Sequence, residues 1–202
     1  MLTELKAMLP RRIRMAVSAL KPYRAYHVPS YGDFDEAGPW GFLRRLDAVP
    51  QRGVIAGYLQ HLAPSGRILD VGCGEGLVLG HLGPCVDYVG VDLSEDAIAR
   101  ARSAFGARPS TAFHVADASA FEPAGHFDII VFNESLYYFE DPAAVVARYE
   151  RALRPGTGKM IVSMYDAPTT ARTWRAIGRG RTAKDGVLIK HRNGIAWEIR
   201  LY

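Results

Sequence analysis

Cysteine, long apolar runs and acidic residues near the two ends are scarce in this sequence of 202 residues. Its two cysteines, Cys73 and Cys85, are too few for a disulfide framework and lack the histidine spacing of a zinc site, so we expect no structural metal. No apolar run approaches the roughly 20 residues of a transmembrane helix. Arginines interrupt the N-terminal stretch where a signal peptide needs its apolar segment, so we expect a cytoplasmic protein.

The net charge of +4 is distributed unevenly along the chain. Residues 1–27 contain six Lys and Arg against one acid, and residues 172–200 contain eight against two. Such basic ends fit nucleic acid, a weak contact with an anionic membrane surface or a phosphorylated substrate, and they fit solvated helix faces equally well. With 49% apolar and 23% charged residues, the composition is that of a single globular domain.

The most informative stretch is 67–77, which reads Arg-Ile-Leu-Asp-Val-Gly-Cys-Gly-Glu-Gly-Leu. A short apolar run ends in glycines at alternate positions, and an apolar, helix-like segment follows over 77–82. A strand, a glycine turn and a helix form the first unit of a nucleotide-binding α/β sheet. Glycine allows the sharp turn and the close approach of a ligand to the backbone. The three glycines are Gly72, Gly74 and Gly76.

The sequence of this turn argues against a dinucleotide as its ligand. The pattern is G-x-G-x-G, with Leu77 where the dinucleotide fingerprint G-x-G-x-x-G has its last glycine. Asp70 and Glu75 would repel a pyrophosphate. They would attract a ligand with a cationic amino-acid end, such as S-adenosylmethionine (SAM). An NAD-dependent oxidoreductase is therefore a weak alternative.

Further acids follow the next two predicted strands. Asp92 ends the strand 87–92, about 20 residues past the glycine turn, where a carboxylate can accept hydrogen bonds from both ribose hydroxyls. Leu93 is placed to face an adenine ring. Asp117 ends the strand predicted over 111–117, and it either binds the adenine amino group or serves as an N-cap or turn aspartate.

The fourth predicted strand, over 127–132, is the most apolar, as a central parallel strand should be. Ligands and chemistry lie at the carboxyl ends of parallel strands. The candidate reaction residues after this strand are Asn133, Glu134, Tyr137 and Tyr138.

The remaining pattern indicates an α/β fold: a Rossmann-like, doubly wound, mostly parallel sheet of seven strands that ends in an antiparallel hairpin. Asn193-Gly194 between two alternating segments is a strong hairpin signal. We expect helices over 2–20, 40–62, 97–105, 143–153 and 169–180, an aromatic loop over 22–41, and strands over 159–165, 187–191 and 195–201.

Four motifs in order resemble the class I SAM-dependent methyltransferases: 69–76, 89–94, 116–117 and 153–156. The resemblance implies a SAM-binding domain over 63–202 with S-adenosylhomocysteine as the product. It does not extend to residues 1–62, where the predicted helices and loop indicate a cap segment. It implies that Asp70 and the glycine backbone hold the methionine end. The full set of cofactor-binding residues expected from it is Asp70, Gly72, Cys73, Gly74, Gly76, Asp92, Leu93, Asp117, Ala118 and Asn133.

The substrate is indicated less sharply. Residues 133–138 are similar to the Glu-x-Leu-Tyr-Tyr stretch of small methyltransferases that act on sugars and other small metabolites, including the NodS-like group, and do not resemble the Asn-Pro-Pro-Tyr signature. We expect methyl transfer to oxygen or nitrogen of a small acceptor, with Glu134 as a base or orienting group, or else a helix cap. Tyr137 and Tyr138 are expected to wall the site. An RNA methyltransferase and a non-catalytic scaffold subunit are the alternatives.

Overall fold

The computed structural model describes residues 44–202. The helix expected over 2–20, the loop over 22–41 and the first residues of the helix over 40–62 lie outside this range. Seven strands form one sheet in the order β3-β2-β1-β4-β5-β7-β6. The strands are β1 Arg67–Val71, β2 Asp87–Asp92, β3 Thr111–Val115, β4 Ile129–Asn133, β5 Lys159–Tyr165, β6 Asp185–Lys190 and β7 Ala196–Leu201.

Four α-helices connect and cover the strands. Ser94 accepts a hydrogen bond from the N–H of Ala97, and Asp141 accepts one from Ala144, so two of the helices begin with a side-chain cap. Within residues 44–202, no helix is long and apolar enough to cross a bilayer. The helices are α1 Val49–Leu62, α2 Glu95–Phe105, α3 Pro142–Glu150 and α4 Ala171–Ile177, with 3-10 turns at Leu46–Ala48, Leu79–His81 and Leu136–Tyr138.

Both faces of the sheet carry helices, which confirms the doubly wound architecture. On one face, Ile55 and Leu59 of α1 share a hydrophobic cluster with Ile68 of β1. On the other face, Tyr149 of α3 and Trp174 of α4 share a cluster with the central strands. Because β1, β4 and β5 are covered on both sides, their sequences are nearly continuous apolar runs.

The terminal hairpin is also confirmed. Strand β7 pairs antiparallel with both β5 and β6, whereas the pairs among β1 to β5 are all parallel. Gly194 has a φ of 86° in the turn. Asn193 accepts a hydrogen bond from the N–H of Ile195 and donates one to Asp47, which ties the turn to the residues just before α1.

One predicted element is wrong. The segment 77–82 does not form an α-helix but a run of turns that closes in the 3-10 turn Leu79–His81. Gly80 and Gly83 lower the helix propensity of this segment, and Pro84 ends it. Elsewhere in residues 44–202 the predicted elements agree with the observed ones, with ends that differ by a few residues. The helical stretch over 169–180, for example, is α4 with seven residues.

Candidate functional site

The glycine turn lies at the carboxyl end of β1 and packs against Ser135, two residues beyond the end of β4. Gly72, Gly74 and Gly76 have φ values of 76°, 53° and 72°, a region that other residues avoid. A Cβ on Gly72 would stand 2.6 Å from the Cβ of Ser135. The Gly72 N–H donates to the carbonyl of Val91 at 2.8 Å, so the turn is fixed to β2 as well.

Asp92 joins the glycine turn to the start of α2. Its carboxylate accepts hydrogen bonds from the N–H of Gly74 at 2.8 Å and of Ser94 at 2.9 Å. Burial raises the pKa of Asp92, although these hydrogen bonds oppose the shift. Each carboxylate oxygen has two lone pairs, so both oxygens keep capacity for the hydroxyls of a ligand. Leu93 beside it is 51% exposed, an apolar surface next to a polar anchor.

Asp70 is buried beneath the glycine turn and is 1% exposed. One carboxylate oxygen accepts a hydrogen bond from the Tyr88 hydroxyl at 2.6 Å, and the other has no partner among residues 44–202. Burial raises the pKa of Asp70 to about 7, and the charge of Asp92 adds to the shift. Cys73 is buried nearby, and burial raises the pKa of its thiol.

Glu75, the other acid of the turn, is already neutralised by cations. Its carboxylate forms an ion pair with Arg44 at 2.6 Å and lies 3.7 Å from Arg100. The attraction of a cationic ligand, expected from both acids of the turn, therefore falls to Asp70. Glu75 instead fixes the glycine turn to the chain that precedes α1.

Asp117 lies two residues beyond the end of β3, in an exposed turn. One carboxylate oxygen accepts hydrogen bonds from the N–H of Ser119 at 2.8 Å and from its hydroxyl at 2.7 Å. Ala118 is buried, and its carbonyl accepts a hydrogen bond from the Tyr149 hydroxyl. Asp117 thus has the contacts of a turn aspartate, and its role toward adenine stays a prediction.

Asn133 ends β4 and is held by a residue from α1. The Gln51 amide donates hydrogen bonds to the Asn133 side-chain oxygen and to the Ser163 hydroxyl, the latter at 2.7 Å. Gln51 is 3% exposed, so these contacts are shielded from water. The first described helix therefore reaches the carboxyl ends of β4 and β5.

Glu134 has a left-handed backbone with φ of 57°, which turns its side chain toward β5. Its N–H donates to the carbonyl of Ser163 at 2.9 Å. One carboxylate oxygen accepts the Tyr137 hydroxyl at 3.0 Å and the Tyr165 N–H at 3.3 Å. Burial raises the pKa of Glu134 to about 8. These contacts are with β5 and Tyr137, so Glu134 does not cap the following 3-10 turn, which has no side-chain cap.

The predicted wall residues lie next to this carboxyl group. The rings of Tyr137 and Tyr138 are 4.6 Å apart between centroids, and both side chains are partly exposed. Tyr165 stacks on Trp197 of β7 at 5.3 Å. An acid and several aromatic rings therefore meet at the ends of β4 and β5.

A family model described as a methyltransferase domain matches residues 43–193. The chain belongs to this methyltransferase domain family. Two similar proteins agree with the assignment. A ubiquinone biosynthesis O-methyltransferase of Aromatoleum aromaticum is 33% identical over 138 residues, which are 66% of this chain and 55% of that protein. An uncharacterized methyltransferase of Mycobacterium tuberculosis is 30% identical over 155 residues, 72% of this chain and 74% of that protein.

The methyltransferase domain also has similar folds among solved structures. The N-methyltransferase NodS of Bradyrhizobium japonicum WM9, solved with S-adenosylhomocysteine, aligns with a TM-score of 0.69 at 20% identity. The alignment covers 84% of this chain and 93% of NodS. This likeness confirms the class I SAM-dependent methyltransferase fold expected from the four sequence motifs.

Several residues that shape the site of this methyltransferase domain were not predicted. Gln51 had a signal in the sequence, since it is a polar residue four positions before Ile55 and eight before Leu59, on the buried side of α1. Tyr88 and Tyr165 had none, because their contacts with Asp70 and Glu134 depend on which strands are neighbours in the sheet.

Proposed function

We propose that this chain is a SAM-dependent methyltransferase that methylates an oxygen or nitrogen atom of a small-molecule acceptor. The proposal rests mainly on the position of Asp92. Its carboxylate joins the glycine turn to the start of α2, and the exposed Leu93 lies beside it. A ribose with two hydroxyls and an adjoining flat base fits this pair of side chains. The chain spans 55% of the Aromatoleum relative, so the activity is inferred from the site.

The site residues fit SAM in three places. The glycines with positive φ allow a ligand to approach the backbone closely. Asp92 then faces the ribose, and Leu93 faces the adenine. The unpaired oxygen of Asp70 suits an ammonium group beneath the turn. The residues proposed to bind SAM are those expected from the sequence: Asp70, Gly72, Cys73, Gly74, Gly76, Asp92, Leu93, Asp117, Ala118 and Asn133.

Bound SAM would supply a methyl group already activated by its sulfonium. The protein's task is then alignment and removal of a proton from the acceptor. Alignment alone contributes up to roughly 7–11 kcal/mol in favourable cases. We assign Glu134 as the base or orienting group, because its carboxyl is buried and its raised pKa of about 8 suits proton transfer near neutral pH. Tyr137 and Tyr138 wall the acceptor.

The remaining assignments belong to the same proposal. We propose residues 1–62 as a cap segment and 63–202 as the SAM-binding domain, with a small molecule rather than nucleic acid as the acceptor. The exposed arginines of α4 would serve an RNA substrate, but the 44–202 range contains no recognisable RNA-binding module. The two free cysteines fit a cytoplasmic location. A membrane-surface contact through the basic N-terminus is the weaker option.

The test is calorimetric titration of the purified protein with SAM, S-adenosylhomocysteine and NAD. We expect micromolar binding of both adenosyl ligands and none of NAD. Asp92→Ala should weaken adenosyl binding at least about tenfold, because each carboxylate–hydroxyl hydrogen bond contributes about 1.5 kcal/mol or more. Asp96→Ala, an exposed acid in the first turn of α2, is the matched control. A folded protein that binds neither adenosyl ligand would favour the scaffold alternative.

A further inference from the structure

The carboxyl group of Glu134 lies in a cluster of tyrosines. Tyr137 donates its hydroxyl to Glu134 and packs against Tyr138. Burial raises the pKa of the Tyr137 hydroxyl, and the nearby Glu134, Tyr138 and Tyr165 raise it further, so these three side chains lie within electrostatic reach of Tyr137. Trp197 stacks behind Tyr165. The cluster is negative in character, with one acid and several electron-rich ring faces.

One position in this cluster has no partner. The second carboxylate oxygen of Glu134, Oε1, is buried and accepts no hydrogen bond from residues 44–202. Leaving a buried acceptor unpaired is unfavourable, and such groups in native proteins usually have a functional reason. The left-handed backbone of Glu134 is itself an uncommon and strained conformation that recurs at functional sites. The unpaired oxygen indicates that a ligand supplies the missing donor, and the strained backbone agrees with a functional role for this position.

We propose that this cluster takes a protonated amine as the methyl acceptor, with its N–H donated to Oε1 of Glu134 and the rings of Tyr137 and Tyr138 beside the cation. The inference rests on the proposed methyl transfer and narrows it from oxygen or nitrogen to nitrogen. A cation next to aromatic ring faces is stabilised by the ring quadrupole, whereas the anion that forms from a phenol or an alcohol is repelled by it.

The acid–base properties agree with an amine. A side-chain ammonium has an ordinary pKa of about 10 and an α-amino group of about 8, so a carboxylate whose pKa is raised to about 8 can take its proton with little driving force against it. An aliphatic alcohol is a far weaker acid. Glu134 must be ionised to form the ion pair, and the cation itself favours that form.

The proposed step balances. The ammonium gives one proton to Glu134 and becomes a neutral amine with a free lone pair. The amine nitrogen then forms a bond to the methyl carbon while the carbon–sulfur bond breaks, which yields a methylated ammonium and S-adenosylhomocysteine. The proton on Glu134 leaves to solvent when the products dissociate, so the net products include one proton.

The test uses three probes of similar size and different functional groups: 2-phenylethylamine, 2-phenylethanol and 4-ethylphenol. Each is titrated by NMR into the protein saturated with S-adenosylhomocysteine. We expect the amine to bind at least about tenfold more tightly than the other two, since a desolvated cation–π contact and an ion pair together contribute about 1.4 kcal/mol or more. Mass spectrometry with SAM should show a methylated amine and no methylated alcohol or phenol.

Two variants assign the selectivity to the cluster. Glu134→Gln keeps the shape and removes the charge, so we expect it to abolish the preference for the amine. Glu140→Gln makes the same change at an exposed position and should retain the preference. Affinity for S-adenosylhomocysteine should be equal in both, which also shows that each variant is folded.

The outcomes separate this inference from the proposed function. If the wild-type protein does not bind S-adenosylhomocysteine, the proposed function itself fails. If it binds, but the three probes bind alike, the amine does not bind at millimolar concentration, or Glu134→Gln keeps the preference, then only the amine assignment is overturned.

Discussion

The two halves of the candidate site are built from contacts of different range. The cofactor half comprises the carboxyl ends of β1, β2 and β3, and the substrate half comprises those of β4 and β5. In the cofactor half, Asp92 binds residues 18 and 2 positions away. In the substrate half, Gln51 binds Ser163 across 112 positions. The first half is a set of local turns on a sheet, whereas the second exists only when distant parts of the chain have docked.

The largest effect should come from breaking the cofactor half at Gly72. In Gly72→Ala, the alanine would have to keep the left-handed φ of 76°. Its Cβ would also lie 2.6 Å from the Cβ of Ser135. Left-handed strain and overpacking together should lower the free energy of unfolding by about 3 kcal/mol. Urea denaturation measures the change.

Gly53→Ala is the matched control for this substitution. Gly53 lies inside α1, where no described atom stands within 4 Å of an added Cβ. Alanine should stabilise the helix by about 0.5–1 kcal/mol. Equal stability of the two alanine variants would contradict the conclusion that the glycine turn packs tightly against the substrate half.

A smaller effect distinguishes the buried acids of the two halves by pH. Burial raises the pKa of Asp70 from 3.8 to about 7 and that of Glu134 from 4.5 to about 8. The native state therefore holds these protons more tightly than the unfolded chain does. As pH rises from the unfolded to the folded pKa, the free energy of unfolding must fall. We expect the free energy of unfolding to decrease steadily between about pH 5 and pH 8.

Urea denaturation at a series of pH values tests whether the free energy of unfolding falls as pH rises. Two variants then show which carboxyl group causes the fall. Asp70→Asn should reduce the slope below about pH 7 and leave the part between about pH 7 and pH 8 unchanged. Glu134→Gln should reduce the slope below about pH 7 as well and remove the part between about pH 7 and pH 8. A wild-type protein that becomes more stable from pH 5 to pH 8, or variants that keep its slope, would show that these carboxyl groups are not buried in this way.

The smallest effect should come from the contact that joins α1 to the substrate half. Gln51→Ala leaves the half-buried Asn133 and the buried Ser163 side chains without this donor. We expect a loss of about 1.5 kcal/mol in the free energy of unfolding. Gln60→Ala removes an exposed hydrogen bond to the His81 carbonyl and should change stability by less than about 0.5 kcal/mol. Equal values would mean that Gln51 does not hold the strand ends.

The difference in contact range between the two halves also explains which parts of the fold and the site could be predicted from the sequence. The alternate glycines, Asp92 at its spacing and the Asn193-Gly194 hairpin are local patterns, and each appeared in the structure where expected. The helix over 77–82 was wrong, because its apolar residues suggested a helix that its glycines do not support.

The contacts of the substrate half could be predicted less well from the sequence. Glu134 was recognised as a candidate from its place after an apolar strand, but its partner Tyr165 depends on β5 lying beside β4. The cofactor half also contains a long-range contact without a local pattern, the ion pair of Glu75 with Arg44, which lie 31 positions apart. Side-chain neighbours set by strand order cannot be derived from periodicity, because periodicity fixes only which face of an element is buried.

The position of β7 between β5 and β6 has a consequence for synthesis. Strand β7 follows β6 in the chain, yet it is β7 that covers the open edge of β5. From Tyr165 to Leu201 there are 36 residues, so at about 5–20 residues per second a ribosome needs about 2 to 7 seconds to deliver them. During that interval the apolar strand β5 has an unpaired edge, which is a template for pairing with other chains. The nascent chain therefore passes through a brief, aggregation-prone state that ends only when its final strand docks.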